Sequence, residues 1–146
     1  DCSQTDRDVK IVADGGIRQA GDIVKALAAG ADAVICGSVL AGTDEAPGHM
    51  YKDPDGFVWK SYRGMASKEA QRDWKGDYSS YEGISSRVPA VGSVCSTLLD
   101  LEKGIRSGFS YSGCSSLEQL QAKAKFIQQT SAGLTESSAH IEIGKR

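Results

Sequence analysis

The chain has 146 residues, with 17 basic and 19 acidic side chains and a formal net charge of −2. At 40% apolar and 25% charged residues it has the composition of one globular domain, which excludes collagen-like, coiled-coil and wholly disordered chains. Interspersed charge leaves no polybasic footprint for nucleic acid, no apolar run nears the roughly 20 residues of a membrane span, and no leader peptide is visible at Asp1-Cys2-Ser3-Gln4.

The first forty residues carry the clearest pattern. Val9–Ala13 is a short β-prone run that ends at Asp14-Gly15-Gly16. Asp22 to Ala29 reads as a helix, with Asp22 at the positive end of its dipole and Gly30 as a left-handed cap. Ala31–Cys36 is a second apolar run, ending at Gly37-Ser38. Strand, helix and strand with short joints predict a βαβ unit of parallel strands buried on both faces. Parallel α/β folds bind ligands at the carboxyl ends of their strands, which here carry glycines. Glycine lets backbone N–H groups approach an anion such as phosphate, although the same residues also serve plain tight turns.

From Ala41 to Gly92 the chain is rich in Gly, Ser, Asp and Lys, with aromatics scattered without period. The Pro54-Asp55-Gly56 turn between β-prone pieces predicts a hairpin. The rest of this stretch reads as a mobile flap rather than an idle linker, because Tyr51, Phe57, Trp59, Tyr62, Trp74, Tyr78 and Tyr81 lie in it. Val94, Leu98, Leu101 and Ile105 recur at helical steps and predict an amphipathic helix from Ser93 to Ser107. Ser115-Ser116-Leu117-Glu118-Gln119 offers a capping-box start for another, with Leu117, Leu120, Ala124 and Ile127 on one side. The polar tail from Thr130 to Arg146 is expected to be weakly ordered unless a neighbouring subunit holds it.

Cys2, Cys36, Cys95 and Cys114 show no C-x-x-C pairing, which argues against zinc; Cys36, inside an apolar run, reads as a small buried thiol. Without a secretory signal, reduced thiols and a cytoplasmic setting are expected. His49 and His140 stand far apart and read as structural or solvated residues.

Several stretches together are distinctive. Ile11-Val12-Ala13-Asp14-Gly15-Gly16-Ile17, then Gly21 to Val34, Gly37-Ser38, Leu40-Ala41-Gly42-Thr43 and Glu45-Ala46-Pro47-Gly48 follow one another in order. Tyr62-Arg63-Gly64-Met65-Ala66-Ser67, Glu82-Gly83 and Gly104-Ile105-Arg106-Ser107 continue the series. The whole closely resembles the IMP dehydrogenase/GMP reductase family, along nearly the entire chain. The resemblance implies an α/β fold, the C-terminal part of a (β/α)₈ TIM barrel with its last two strands, since 146 residues fall well short of the ~250 of a complete barrel. Residues 1–40 would form the last βαβ unit, 41–92 the hairpin and active-site flap, 93–130 helices and 131–146 the tail.

The resemblance also implies a purine mononucleotide, GMP or IMP, at the barrel mouth. Asp14 would accept hydrogen bonds from the ribose hydroxyls. Gly16, Gly37 and Ser38 would cradle the 5′-phosphate, with Tyr62 adding a phenolic donor. Gly64, Met65 and Ala66 would lie along the purine, while Glu82, beside Gly83, would face the base edge and take part in proton transfer. The family's nucleophilic cysteine stands on a Gly-Ser-x-Cys-Thr loop that this stretch does not contain; neither Cys2 nor Cys36 has that context. The chain alone is therefore expected not to turn over substrate.

The family's two activities diverge in the flap. The segment from Met65 to Glu82 is short and lacks the Arg-Tyr pair with which the dehydrogenase activates water; Arg72 is followed by Asp73-Trp74. Tyr78 to Gly83, with Val88-Pro89 and Gly92, follows the reductase pattern, which favours GMP reductase with NADPH over IMP dehydrogenase with NAD. Ile84 departs from that pattern, where lysine is usual. The tail Thr130 to Ser138 looks like the dehydrogenase's, in which Glu136, Ser137 and Ser138 would supply oxygens to a potassium ion shared with a neighbouring subunit. A homo-oligomer, tetrameric by resemblance, or a complementing N-terminal part of the barrel is the implied partner. A non-catalytic nucleotide-binding remnant is the third reading.

Overall fold

The computed structural model describes residues 9–64 and 85–137. Its first strand, β1, is Val12–Asp14; α1 is Ala20–Ala28; β2, Ala33–Ile35, pairs with β1 in parallel. This is the βαβ unit that the sequence predicts. The pairing is opened by Asp32, whose N–H donates to the Ile11 carbonyl while its carboxylate accepts the Ile11 N–H at 2.8 Å. The strands differ from expectation in one respect: Val12 and Ile35 are each 50% exposed, because α1 covers one side only and no described element covers the other. For the same reason Cys36 is half-buried, and Cys114 is the buried thiol instead.

A one-turn helix, α2 (Ser38–Ala41), follows β2 directly. The predicted hairpin is present as β3 (Met50–Lys52) and β4 (Val58–Arg63), antiparallel, and Gly56 in its turn has φ 89°. Asp53 holds that turn: its carboxylate accepts the Phe57 N–H and the Trp59 indole N–H, and the indole bond chiefly lowers its pKa. A third strand, β5 (Ser85–Pro89), extends the hairpin sheet in the order β3-β4-β5, where the sequence pattern shows only irregular chain. Its Arg87 guanidinium lies 4.5 Å from the centre of the Trp59 ring.

The predicted helix after Gly92 is α3, Val94–Tyr111, a turn longer than expected, with the Ser93 hydroxyl capping the Cys95 N–H. Next is α4, Leu117–Lys123, where the Ser116 side chain accepts from Gln119 and the Gln119 side chain accepts from Ser115. That helix ends sooner than its apolar spacing suggests. Ala124 turns to extended backbone, leaving Ile127 off the helix and 89% exposed. Part of the expected weakly ordered tail is helical: α5 spans Ser131–Glu136, capped by Thr130. The Thr130 hydroxyl accepts the Gly133 N–H and so caps this short turn, which buries no side chain.

Helix α1 packs against α3 and α4, with Ile23 and Leu120 buried, and the Gln121 amide donates to the Leu27 and Ala31 carbonyls at its end. Among the described residues no helix is long and apolar enough to cross a membrane.

Candidate functional site

Two parallel strand ends and one antiparallel strand converge on the same place. Asp14 closes β1 in register with Ile35, the last residue of β2, and Gly37 follows two positions later. The Tyr62 hydroxyl, carried by β4, lies 3.5 Å from where a Cβ on Gly37 would stand. Thus Gly37 and Tyr62, far apart in sequence, meet, and Asp14 ends the strand paired with the one that leads into Gly37. Asp14, Gly16, Gly37 and Ser38 are exposed there, and Tyr62 and Gly64 are half-buried.

Local geometry explains the glycines. Gly15 and Gly16 hold φ of 90° and 76°, the left-handed region that a side chain disfavours, and the space where their Cβ atoms would sit is open. The chain leaving Gly16 is fastened at once. Ile17 is buried, and the N–H groups of Arg18 and Gln19 donate to the Asp22 carboxylate in the first turn of α1. The Arg18 N–H bond, then Lys25, holds the Asp22 carboxyl below its ordinary pKa. Asp22 is therefore spent on the helix start, and the turn bearing Gly16 is fixed without it. Gly37 is the N-cap of α2; the Leu40 N–H donates back to its carbonyl, while the first N–H groups of that turn have no intrahelical partner.

Beneath this mouth is a feature that motif reading missed. Lys60 on β4 is 2% exposed, and its ammonium donates to the carbonyls of Thr43 and Asp44 just after α2. Thr43, equally buried, returns its N–H and hydroxyl to the Leu40 carbonyl. Next to it, the Glu45 carboxylate accepts the Val94 N–H at 2.7 Å and the Ser93 hydroxyl at 3.1 Å, tying the loop to the start of α3. The Val94 bond is the main reason its pKa is lowered. Strand alternation was the available signal: Lys60 and Tyr62 are two apart on β4 and share a face.

Ser38 also borders a groove of about 550 Å³ between α2, β5 and the first half of α3; Asp14, Gly37 and Tyr62 do not line it. Met65, Ala66, Glu82, Gly83 and Ser138 lie outside the described residues, as does the flap segment with Arg72. Glu136 ends α5 and Ser137 caps it, the Ser137 hydroxyl donating to the Leu134 carbonyl. Among the described residues no group of three or more His, Cys, Asp or Glu side chains is arranged to hold a metal.

Comparison with known proteins gives the family. The IMP dehydrogenase / GMP reductase domain matches residues 1–140. The inosine-5′-monophosphate dehydrogenase of Aquifex aeolicus is 46% identical over 143 residues, which cover 91% of this chain and 29% of that protein. The GMP reductase of Leishmania major is 44% identical over 142 residues, covering 90% of this chain and 29% of its own length. A crystal structure of a GMP reductase variant from Trypanosoma brucei, in complex with guanosine 5′-monophosphate, superposes with a TM-score of 0.81 at 44% identity over 90% of this chain and 28% of that one. The chain thus spans under a third of the length of these relatives, and it belongs to the IMP dehydrogenase/GMP reductase family.

Proposed function

We propose that this chain forms the nucleotide-gripping C-terminal part of a (β/α)₈ barrel whose complete form is a GMP reductase, converting GMP and NADPH to IMP, ammonia and NADP. The observation that carries the nucleotide reading is the approach of the Tyr62 hydroxyl to Gly37, at the end of β2 and beside Asp14. In this reading the N–H groups of Gly16, Gly37 and Ser38, with the Ser38 and Tyr62 hydroxyls, bind the 5′-phosphate. Asp14 accepts from the ribose diol, and its position one strand away sets the sugar at a fixed distance from the phosphate. Gly64, Met65 and Ala66 lie along the base. Glu82, with Gly83, faces the base edge and moves a proton there.

The nicotinamide supplies hydride exchange at the purine; none of this chain's residues is assigned to it. The attacking cysteine belongs to a loop outside this stretch, so these residues bind and orient rather than form the covalent bond. Reductase is preferred over dehydrogenase because the flap sequence from Met65 to Glu82 has no Arg-Tyr pair to activate water. One feature favours the dehydrogenase: the tail Thr130 to Ser138, where Glu136, Ser137 and Ser138 are proposed potassium ligands. A carboxylate and hydroxyls are hard oxygen donors, the kind that suits such a cation. The proposed setting is cytoplasmic, in a homo-oligomer or with the upstream barrel part supplied by a second chain.

The test is to assay the complete barrel, on one polypeptide or reassembled from two. GMP-dependent NADPH oxidation is expected. IMP-dependent NADH formation in its place would establish the dehydrogenase, and nucleotide binding with neither activity would establish a non-catalytic remnant.

A further inference from the structure

We infer that Lys60 is a positioning residue for the phosphate end of the nucleotide site, acting through Tyr62 and the short helix α2. The inference rests on the nucleotide reading above. It starts from two contacts made by one strand. Lys60 and Tyr62 lie on one face of β4, about 6.8 Å apart along the strand, and their side chains reach opposite ends of α2. The Tyr62 hydroxyl stands beside Gly37 at its N-terminus, and the Lys60 ammonium bonds the Thr43 and Asp44 carbonyls just past its C-terminus.

The strand thus grips the helix at both ends. The two ends differ in burial: Gly37 and Ser38 are exposed, while Lys60 and Thr43 are buried. A buried ammonium is tolerated where carbonyl oxygens receive its protons, and these two carbonyls belong to the turn that fixes where α2 ends. That turn is held from behind as well. Asp44 N–H donates to the Gly92 carbonyl, and Glu45 caps α3. The turn is therefore a fixed post, and Lys60 sets the distance of β4 from it. With Lys60 in place, β4 carries the Tyr62 hydroxyl to Gly37. Without it, the buried Thr43 carbonyl and the part-buried Asp44 carbonyl lose their donor, and the separation of Tyr62 from the N–H groups of α2 is no longer set. Lys60 touches no solvent-facing part of the mouth, so its effect reaches the ligand only through that spacing.

The experiment uses the complete barrel protein and measures binding of GMP and of guanosine, which lacks the phosphate, to wild type, K60M, Y62F and the double variant. Wild type is expected to prefer GMP, and K60M to lose about tenfold or more of that preference while guanosine binding changes less than about twofold, by the arithmetic of one lost charged hydrogen bond. The double variant is expected to lose little more than Y62F alone, because both act on one contact. K60R keeps the donors on a wider head and is expected to fold and show a smaller loss of the same kind; it decides the matter if K60M does not fold. Equal losses for GMP and guanosine in these variants, or full additivity with Y62F, would overturn the assignment. Wild type that binds neither GMP nor IMP would instead sink the nucleotide reading, and the Lys60 role with it.

Discussion

Tyr62 is the residue on which the proposed phosphate grip is most open to measurement. Its hydroxyl reaches Gly37 across two elements, and Phe keeps the ring while removing the donor. A hydrogen bond to a charged group contributes about 1.5–3 kcal/mol, so Y62F in the complete enzyme should raise the KM for the purine nucleotide by about tenfold to a hundredfold. The kcat should fall much less, since the proposed contact, remote from the reacting carbon, would be made equally in ground and transition states. Steady-state kinetics with GMP reads both. Glu45 offers a second handle. Its carboxylate accepts the Val94 N–H and the Ser93 hydroxyl, and its pKa is lowered from an ordinary 4.5. A carboxyl depressed by folding stabilises the folded state above its unfolded pKa and loses that contribution as pH falls through the folded value. Denaturant titrations between pH 7 and pH 3 should therefore show stability falling below pH 4.5, and E45Q should flatten part of that fall while lowering stability at neutral pH.

At the scale of elements, α1 and α3 cross so closely that Gly104 is demanded by contact. A Cβ there would stand 2.4 Å from the Ala20 Cβ, with no flexible side-chain end to give way. G104A must push the helices apart, and overpacking of this kind costs about 1–3 kcal/mol. Chemical denaturation should show the loss despite the better helix propensity of alanine. How far the elements were legible follows the same physics. The unit from β1 to β2 was readable because apolar runs, a capped helix and terminal glycines all act locally. So was the hairpin, whose Pro54-Asp55-Gly56 turn and Asp53 anchor lie within one short segment. Strand β5 was not, since Ser85-Ser86-Arg87-Val88-Pro89 has little strand propensity and is held by pairing with β4 and by Arg87 over Trp59. Lys60 escaped notice for a related reason. A lysine beside tryptophan and tyrosine reads as solvated until the fold buries it against the Thr43 turn. Asp14, Gly37 and Tyr62 were singled out through family likeness alone, and the approach of Tyr62 to Gly37 was visible only once β4 was seen beside α2.

For the molecule as a whole, the decisive feature is what its central sheet leaves open. β1 and β2 form a two-stranded parallel pair, and among the described residues neither has a second strand beside it. Parallel pairs are found inside larger sheets covered on both faces, and an open edge invites association. The apolar surface agrees: Val12 and Ile35 are half-exposed, and Tyr111 is 92% exposed. The antiparallel sheet differs, because a tight turn closes β3 onto β4 and Lys60 anchors it to the Thr43 turn. The two parts should therefore respond differently when this 146-residue chain is made alone. The prediction is association in solution, and a broad unfolding transition in which backbone amides of β1 and β2 exchange hydrogen well before those of β4 and α3. Adding the remaining strands of the proposed barrel should merge these into one sharp transition and slow the exchange of β1 and β2 to the level of the rest. A monomeric chain melting in a single two-state step, with uniform protection, would mean that the open edges are satisfied without further strands. In that event the proposed partial-barrel architecture would have to be abandoned, because no physical need for further strands would remain.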